Sequence, residues 1–147
     1  MKKLTILLAA AALAVIAVPA LAGNDRVIGV EQLPAAAQQF LRNHFSEAEV
    51  SYAKVDEDIL GDEYKVVFTD GTSVEFDKEG VWLEIDAKHG TVPASAVPQQ
   101  IRESVAKRFA GRTIRKIERE RRGFEVKLDN GHKLEFDRTM QLVDIDD

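Results

Sequence analysis

Three histidines, no cysteine and a surplus of carboxylates are the material this chain offers for chemistry. His44, His89 and His132 fall on a helical stripe, in a connecting segment and beside an Asn-Gly turn. No pair has metal-ligand spacing, and without Cys a structural zinc site is not expected. His44 lies at the margin of the apolar stripe and reads as a packed or capping residue rather than a ligand. The run Asp56-Glu57-Asp58-Ile59-Leu60-Gly61 opens like a calcium loop, with acids at positions one and three and Gly at six. Position five is Leu60 and position twelve is Val67, where acidic ligands are needed, so the run reads as a solvated hairpin loop. The acidic end Asp144-Ile145-Asp146-Asp147 could collect a cation loosely, and a strand end with exposed carboxylates accounts for it equally well. Glu118-Arg119-Glu120-Arg121-Arg122 would offer arginine to an acidic partner, but reads first as an exposed hairpin tip. No Ser stands in a nucleophile elbow or in local context with a histidine. Carboxylate pairs arise on any acid-rich surface without hydrolase geometry. No catalytic residue, metal or cofactor is expected, and an enzyme is the least favoured class.

Met1–Ala22 has the form of a secretory signal peptide. Lys2 and Lys3 make the basic start, Leu4–Val18 is apolar except for Thr5, and Ala20-Leu21-Ala22 is a small-x-small cleavage site. The apolar run is short for a spanning helix, so no membrane association is expected after cleavage, and the product should be periplasmic or secreted. Beyond the leader the chain has 18 basic and 25 acidic residues, a formal charge of −7. That balance argues against nucleic acid and anionic membrane surfaces as partners. The absence of Cys rules out disulfides, so an ordinary apolar core must hold the fold.

The elements that would position any site are written twice. Tyr64–Asp86 realigns without a gap on Phe124–Asp146, with Val66, Gly71, Glu75, Phe76, Asp77, Ile85 and Asp86 recurring as Val126, Gly131, Glu135, Phe136, Asp137, Ile145 and Asp146. Each copy is preceded by a helical stripe: Leu33, Ala37, Phe40, Leu41 and Phe45, then Val97, Ile101, Val105 and Phe109, with Pro34 and Pro98 in the first turn. Glu49–Val55 and Thr113–Glu120 read as first strands, and Asp70-Gly71 and Asn130-Gly131 as two-residue hairpin turns. The turn at Asp137-Arg138-Thr139-Met140 lacks the glycine of Asp77-Lys78-Glu79-Gly80 and is expected to differ in shape. The fold class is therefore α+β: two tandem helix-plus-four-strand units forming one antiparallel sheet with both helices on one face. Residues 23–86 and 97–147 would be the two units, joined by a linker over 87–96.

Strand alternation divides the side chains between two faces. Val81, Leu83, Ile85, Val143 and Ile145 are assigned to the helix side. The helix-free face then receives Trp82, Glu84, Asp86, Lys65, Val67, Glu75, Leu142, Asp144, Glu125, Lys127, Lys133 and Glu135. An apolar centre of Trp82, Val67 and Leu142 ringed by Lys65, Glu75, Glu84, Lys127 and Glu135 is the arrangement expected of a protein-docking patch. The alternative is that Trp82 merely covers neighbouring strands.

Leu33-Pro34, Tyr64-x-Val66, Phe68-x-x-Gly71 and Glu75-Phe76-Asp77-x-x-Gly80-x-Trp82-x-x-Ile85-Asp86 together resemble the PepSY-like family of exported bacterial proteins, especially of Bacteroidetes, described as similar to β-lactamase inhibitory protein. The second copy keeps Val97-Pro98, Phe124-x-Val126, Gly131, Glu135-Phe136-Asp137 and Ile145-Asp146, and departs at Met140 and Leu142. The resemblance implies a tandem of helix-plus-sheet modules whose sheet grips a protein partner. PepSY modules are associated with peptidase propeptides, so it also implies an inhibitor or regulator of an envelope or secreted enzyme, with a protease-type target. The other classes the residues allow are a structural or stress-related periplasmic protein, and a weak cation or small-molecule binder.

Overall fold

Alternating apolar residues broken by Asp-Gly, Asn-Gly and acidic turns produce a nine-stranded antiparallel sheet in strict chain order. The computed structural model describes residues 24–147, so the signal peptide expected over Met1–Ala22 lies outside the described residues. The strands are β1 (Asp25–Ile28), β2 (Val50–Asp56), β3 (Glu63–Phe68), β4 (Ser73–Phe76), β5 (Trp82–Asp86), β6 (Ile114–Glu120), β7 (Gly123–Leu128), β8 (Lys133–Asp137) and β9 (Leu142–Asp146). Helix α1 (Ala35–His44) follows β1, and α2 (Gln99–Arg108) lies between β5 and β6. Among the described residues there are thus nine strands rather than the eight expected. The added strand β1 has only one apolar pair to announce it, and it is held by pairing Ile28 with Ala53 on β2.

One apolar row crosses the whole sheet. Ile28, Ala53, Val66, Val74, Ile85, Ile117, Val126, Leu134 and Ile145 are successive cross-strand partners. All but the edge residue Ile145 are buried, and the helices pack over this face. From α1, Phe40 meets Phe76 edge-on at 5.7 Å and the following Phe45 stacks on Phe68 at 5.1 Å. From α2, Ile101 and Val105 join the same core. The Ala87–Ala96 connection is packed: Val92 donates its N–H to Ile114 and Ala87 to Arg115, both at 2.8 Å, and both side chains are buried.

Four strands carry an extra residue. Glu75 pairs with Glu84 and Phe76 with Trp82, so Leu83 is a bulge; Val143 is one in the same way, between the pairs Glu135–Asp144 and Phe136–Leu142. Ser51 on β2 and Arg115 on β6 are the other two. A bulge places two neighbouring side chains on the same side and reverses the alternation beyond it. This corrects the face expected for Trp82 and Leu142. Trp82 is buried on the helix side, 6.1 Å from Phe124, and Leu142 packs half-buried against the same core. Val81, just ahead of β5, and Leu83 and Val143 within their strands, all expected on the helix side, are instead exposed or half-exposed.

The turn at Asp137 is also corrected. Asp77 Oδ1 accepts the N–H groups of Glu79 and Val81, and Asp137 Oδ1 accepts those of Thr139 and Gln141. Met140 takes the left-handed conformation at φ 64°, as Gly80 does at φ 84°. The two turns thus have one shape. Gly80 has a further reason to be glycine: a Cβ there would lie 2.7 Å from the Ala37 amide nitrogen, under the start of α1.

Phe76, Phe136 and Trp82 are all buried on the helix side. Replacing any of them with Ala should cost about 3–5 kcal/mol of unfolding free energy, as large-to-small core changes do. Urea denaturation of the three variants checks this, and a loss below about 1 kcal/mol at any site would place that side chain on the surface instead.

Candidate functional site

The helix-free face is organised by the same register as the core, one residue out of phase. Val27, Lys54, Lys65, Glu75, Glu84, Glu118, Glu125, Glu135 and Asp144 are successive cross-strand partners. From β4 to β9 this places six carboxylates in one transverse stripe, separated by the inter-strand spacing of about 4.8 Å. A parallel stripe two residues along each strand runs Tyr52, Val67, Ser73, Asp86, Lys116, Lys127, Lys133 and Asp146.

Like charges directly opposite on adjacent strands destabilise a sheet, and the structure offsets only part of this repulsion. Lys65 Nζ stands 3.1 Å from Glu75 Oε1, and Lys116 Nζ lies between Glu84 Oε2 at 3.3 Å and Glu118 Oε2 at 3.6 Å. Among the described residues Glu125, Glu135 and Asp144 have no ionic partner, so the β7–β9 end of the stripe carries the unbalanced charge. Titration behaviour follows. Burial, then repulsion from Glu75, holds the Glu84 carboxyl above the usual glutamate range, with Lys116 opposing. Glu120 is also held up, by desolvation first and then by Glu125, Glu118 and Glu135.

Of the residues singled out from sequence, the structure brings Lys65, Glu75, Glu84 and Glu135 into one stripe and puts Val67 and Lys127 in the next. Trp82 and Leu142 stand on the other side of the sheet. Trp82 is covered there by Arg119, whose guanidinium lies 4.5 Å from the indole centroid and 5.2 Å from the Phe124 ring. Arg119 Nε donates to the Trp82 carbonyl oxygen at 3.1 Å, and burial holds its pKa below the ordinary arginine value. Arg119 through Arg122 are exposed, as expected of a hairpin tip, and Arg119 in addition lays its guanidinium over the indole. His44 Nδ1 bonds Ser95 Oγ at 2.8 Å and its ring packs 4.6 Å from Phe40, a structural role. Among the described residues, no group of three or more His, Asp or Glu converges as a metal cage.

The stripe is not visible in the sequence, because its six acids come from six strands and no local window holds them together. The β2–β3 hairpin tip is the solvated loop expected for Asp56–Gly61, with Ile59 fully exposed and Leu60 nearly so.

A family described as "Putative beta-lactamase-inhibitor-like, PepSY-like" matches residues 62–144. The chain belongs to the PepSY-like family. It is 40% identical to a "putative periplasmic protein" of the DUF2874 family from Bacteroides vulgatus, with TM-score 0.82 over 86% of this chain and 100% of that one. It is 44% identical to a "putative calcium-regulated periplasmic protein" from Bacteroides thetaiotaomicron, with TM-score 0.80 over 84% and 97%. A second Bacteroides vulgatus protein, a "putative periplasmic protein of unknown function", is 37% identical with TM-score 0.77 over 84% and 99%. No functionally curated protein matches the chain. All three neighbours are described as putative periplasmic proteins.

Because the folded Glu84 carboxyl binds its proton more tightly than the unfolded chain does, its contribution to stability is present at low pH. It is lost as pH rises from the ordinary glutamate pKa through the raised folded one. Glu84→Gln should therefore flatten the fall in stability across that acid window, and chemical denaturation at a series of pH values checks it. An unchanged pH profile would show that Glu84 is not strained by its neighbours.

Proposed function

We propose that this chain is an exported, non-catalytic binding module of the periplasm that holds a basic segment of a protein partner across its helix-free sheet face. The observation that carries this is the unbalanced end of the carboxylate stripe, Glu125, Glu135 and Asp144 on β7–β9. A sheet gains nothing in stability from three acids placed directly opposite one another. A lysine- or arginine-bearing segment laid along the stripe would relieve them, with charge steering its approach. The leader Met1–Ala22 and the periplasmic descriptions of the relatives support export. We read the architecture as two copies of one helix-and-strand unit. The equivalent bulges at Ser51 and Arg115, and at Leu83 and Val143, support that reading. The family description supports an inhibitor or regulator of an envelope or secreted enzyme as the physiological form of binding.

The test is crosslinking capture from the envelope fraction of the source organism, with the wild type and an E125Q/E135Q/D144N variant side by side. The variant should fold as well as the wild type or better, and lose the captured partner by tenfold or more at low salt. Equal capture by both proteins would remove the stripe as the docking element and move a structural envelope role ahead.

A second reading has a specific observation behind it. One relative is described as calcium-regulated, and the same stripe could gather divalent cations loosely. Calcium binding to the folded state would raise the midpoint of thermal unfolding with concentration. Millimolar calcium should then stabilise the wild type more than the triple variant. An equal response of the two proteins would dismiss the stripe as a calcium site.

A further inference from the structure

The second stripe contains its own anomaly. Lys116, Lys127 and Lys133 stand directly opposite one another on β6, β7 and β8, a like-charge ladder in a chain that is acidic overall. The Arg115 bulge adds a fourth cation beside Lys116, since a bulge turns two successive side chains toward one side. At the loop end of this stripe lies a cleft of about 590 Å³, lined by Lys88, Arg115, Lys116 and Lys127 together with Asn130 and the carboxylates Asp86 and Asp129.

Several of these groups are left with donors to spare. Lys88 is engaged by Asp86 at 3.5 Å, and Lys116 by Glu84 and Glu118. Among the described residues, Arg115 and Lys127 have no carboxylate within ion-pair distance. Arg115 Nε is buried without a hydrogen-bond partner, which a folded protein tolerates only at a cost. Asn130 Oδ1 accepts the His132 N–H at 3.1 Å, which leaves the amide N–H groups as donors. Asp129 is occupied elsewhere, accepting the Thr113 N–H at 3.3 Å and facing Arg112 at 3.8 Å.

The fold itself does not need these cations. The corresponding bulge on β2 carries Ser51, and the corresponding cross-strand pair is Tyr52 and Val67. The same backbone is therefore built once with neutral residues and once with Arg115, Lys116 and Lys127. We propose that this cleft is a binding site for a small phosphate-type oxyanion, free or carried on a small organic molecule. Arg115 supplies a planar fork of donors for two oxygens, and Lys127 and Lys88 supply point charges at the rim. With the chain acidic elsewhere, selectivity would come from this local geometry rather than from a general positive field.

The test uses the full mature chain in isothermal titration calorimetry and thermal unfolding, at constant ionic strength set with chloride. Inorganic phosphate and glucose 6-phosphate are the two probes. Their relative affinity separates a free anion from an anion on a small molecule. Variants are R115Q, K127Q and the control K107Q on the exposed side of α2. The expected result is saturable binding of at least one probe to the wild type and K107Q, weakened tenfold or more in K127Q and R115Q. Lys127 is exposed, so K127Q keeps the test valid even if R115Q unfolds. No saturable binding of either probe to the wild type, or equal binding by K127Q, would overturn the proposal.

Discussion

Every feature of this molecule depends on the register of one apolar row, Ile28 to Ile145, that runs unbroken through nine strands. The row forms the floor on which Phe40, Phe45, Ile101 and Val105 pack from the helices. Because side chains alternate along a strand, a slip of one residue at any pairing would expose that strand's apolar set and bury its charges. The register that satisfies the core also determines, without further freedom, which residues meet on the other face. The carboxylate and lysine stripes are thus positioned by the core. Their composition, however, is free of it, since any polar residue would serve folding there.

The bulges are where this simple rule is interrupted, and they explain what was and was not legible from the chain. Both helices and the partners Val66, Phe76, Val126 and Phe136 follow from periodicity, and they sit where those signals put them. Asp-Gly and Asn-Gly do mark hairpins, but the expected two-residue turns are three-residue loops: Phe68 donates to Thr72 and Leu128 to His132, and only Gly71 and Gly131, not Asp70 and Asn130, take positive φ. Trp82 and Leu142 do not sit where alternation put them. One extra residue at Leu83 and another at Val143 reverse the alternation beyond them. Nothing in Val81-Trp82-Leu83 distinguishes a regular strand from a bulged one, because all three are apolar. The deciding information is tertiary: the space beside Phe124 and the cover that Arg119 provides for the indole. Met140 gives the same lesson for turns. An absent glycine suggested another shape, yet the Asp137 carboxylate makes the same bonds as Asp77 and holds Met140 at positive φ.

The candidate site was legible in part. Lys65, Glu75, Glu84, Glu135, Val67 and Lys127 do share the helix-free face, because no bulge separates them from the core positions that set their parity. Their alignment into stripes was beyond reach, since it depends on the register between strands distant in the chain. Glu84 and Glu118, for instance, meet only because β5 pairs with β6 across the long connection that contains α2. The assumed apolar centre failed for the reason just given, and the face is consequently electrostatic rather than hydrophobic in character.

That character bears on how the face would work. A docking patch built around a buried aromatic holds a partner by removing apolar area from water, and ionic strength does not screen it. A striped charged face acts differently: its attraction reaches about one Debye length, roughly 8–10 Å at physiological salt, and falls as ionic strength rises. It favours fast association and discrimination by charge pattern over very tight holding. The neighbouring lysine ladder sharpens this discrimination. A uniformly basic surface laid over the face would meet Lys127 and Lys133 as well as Glu125 and Glu135, and only a segment narrow enough to follow the acidic stripe avoids them. On the proposed reading, the register fixed by the core would therefore select for the width and direction of a partner as well as its charge.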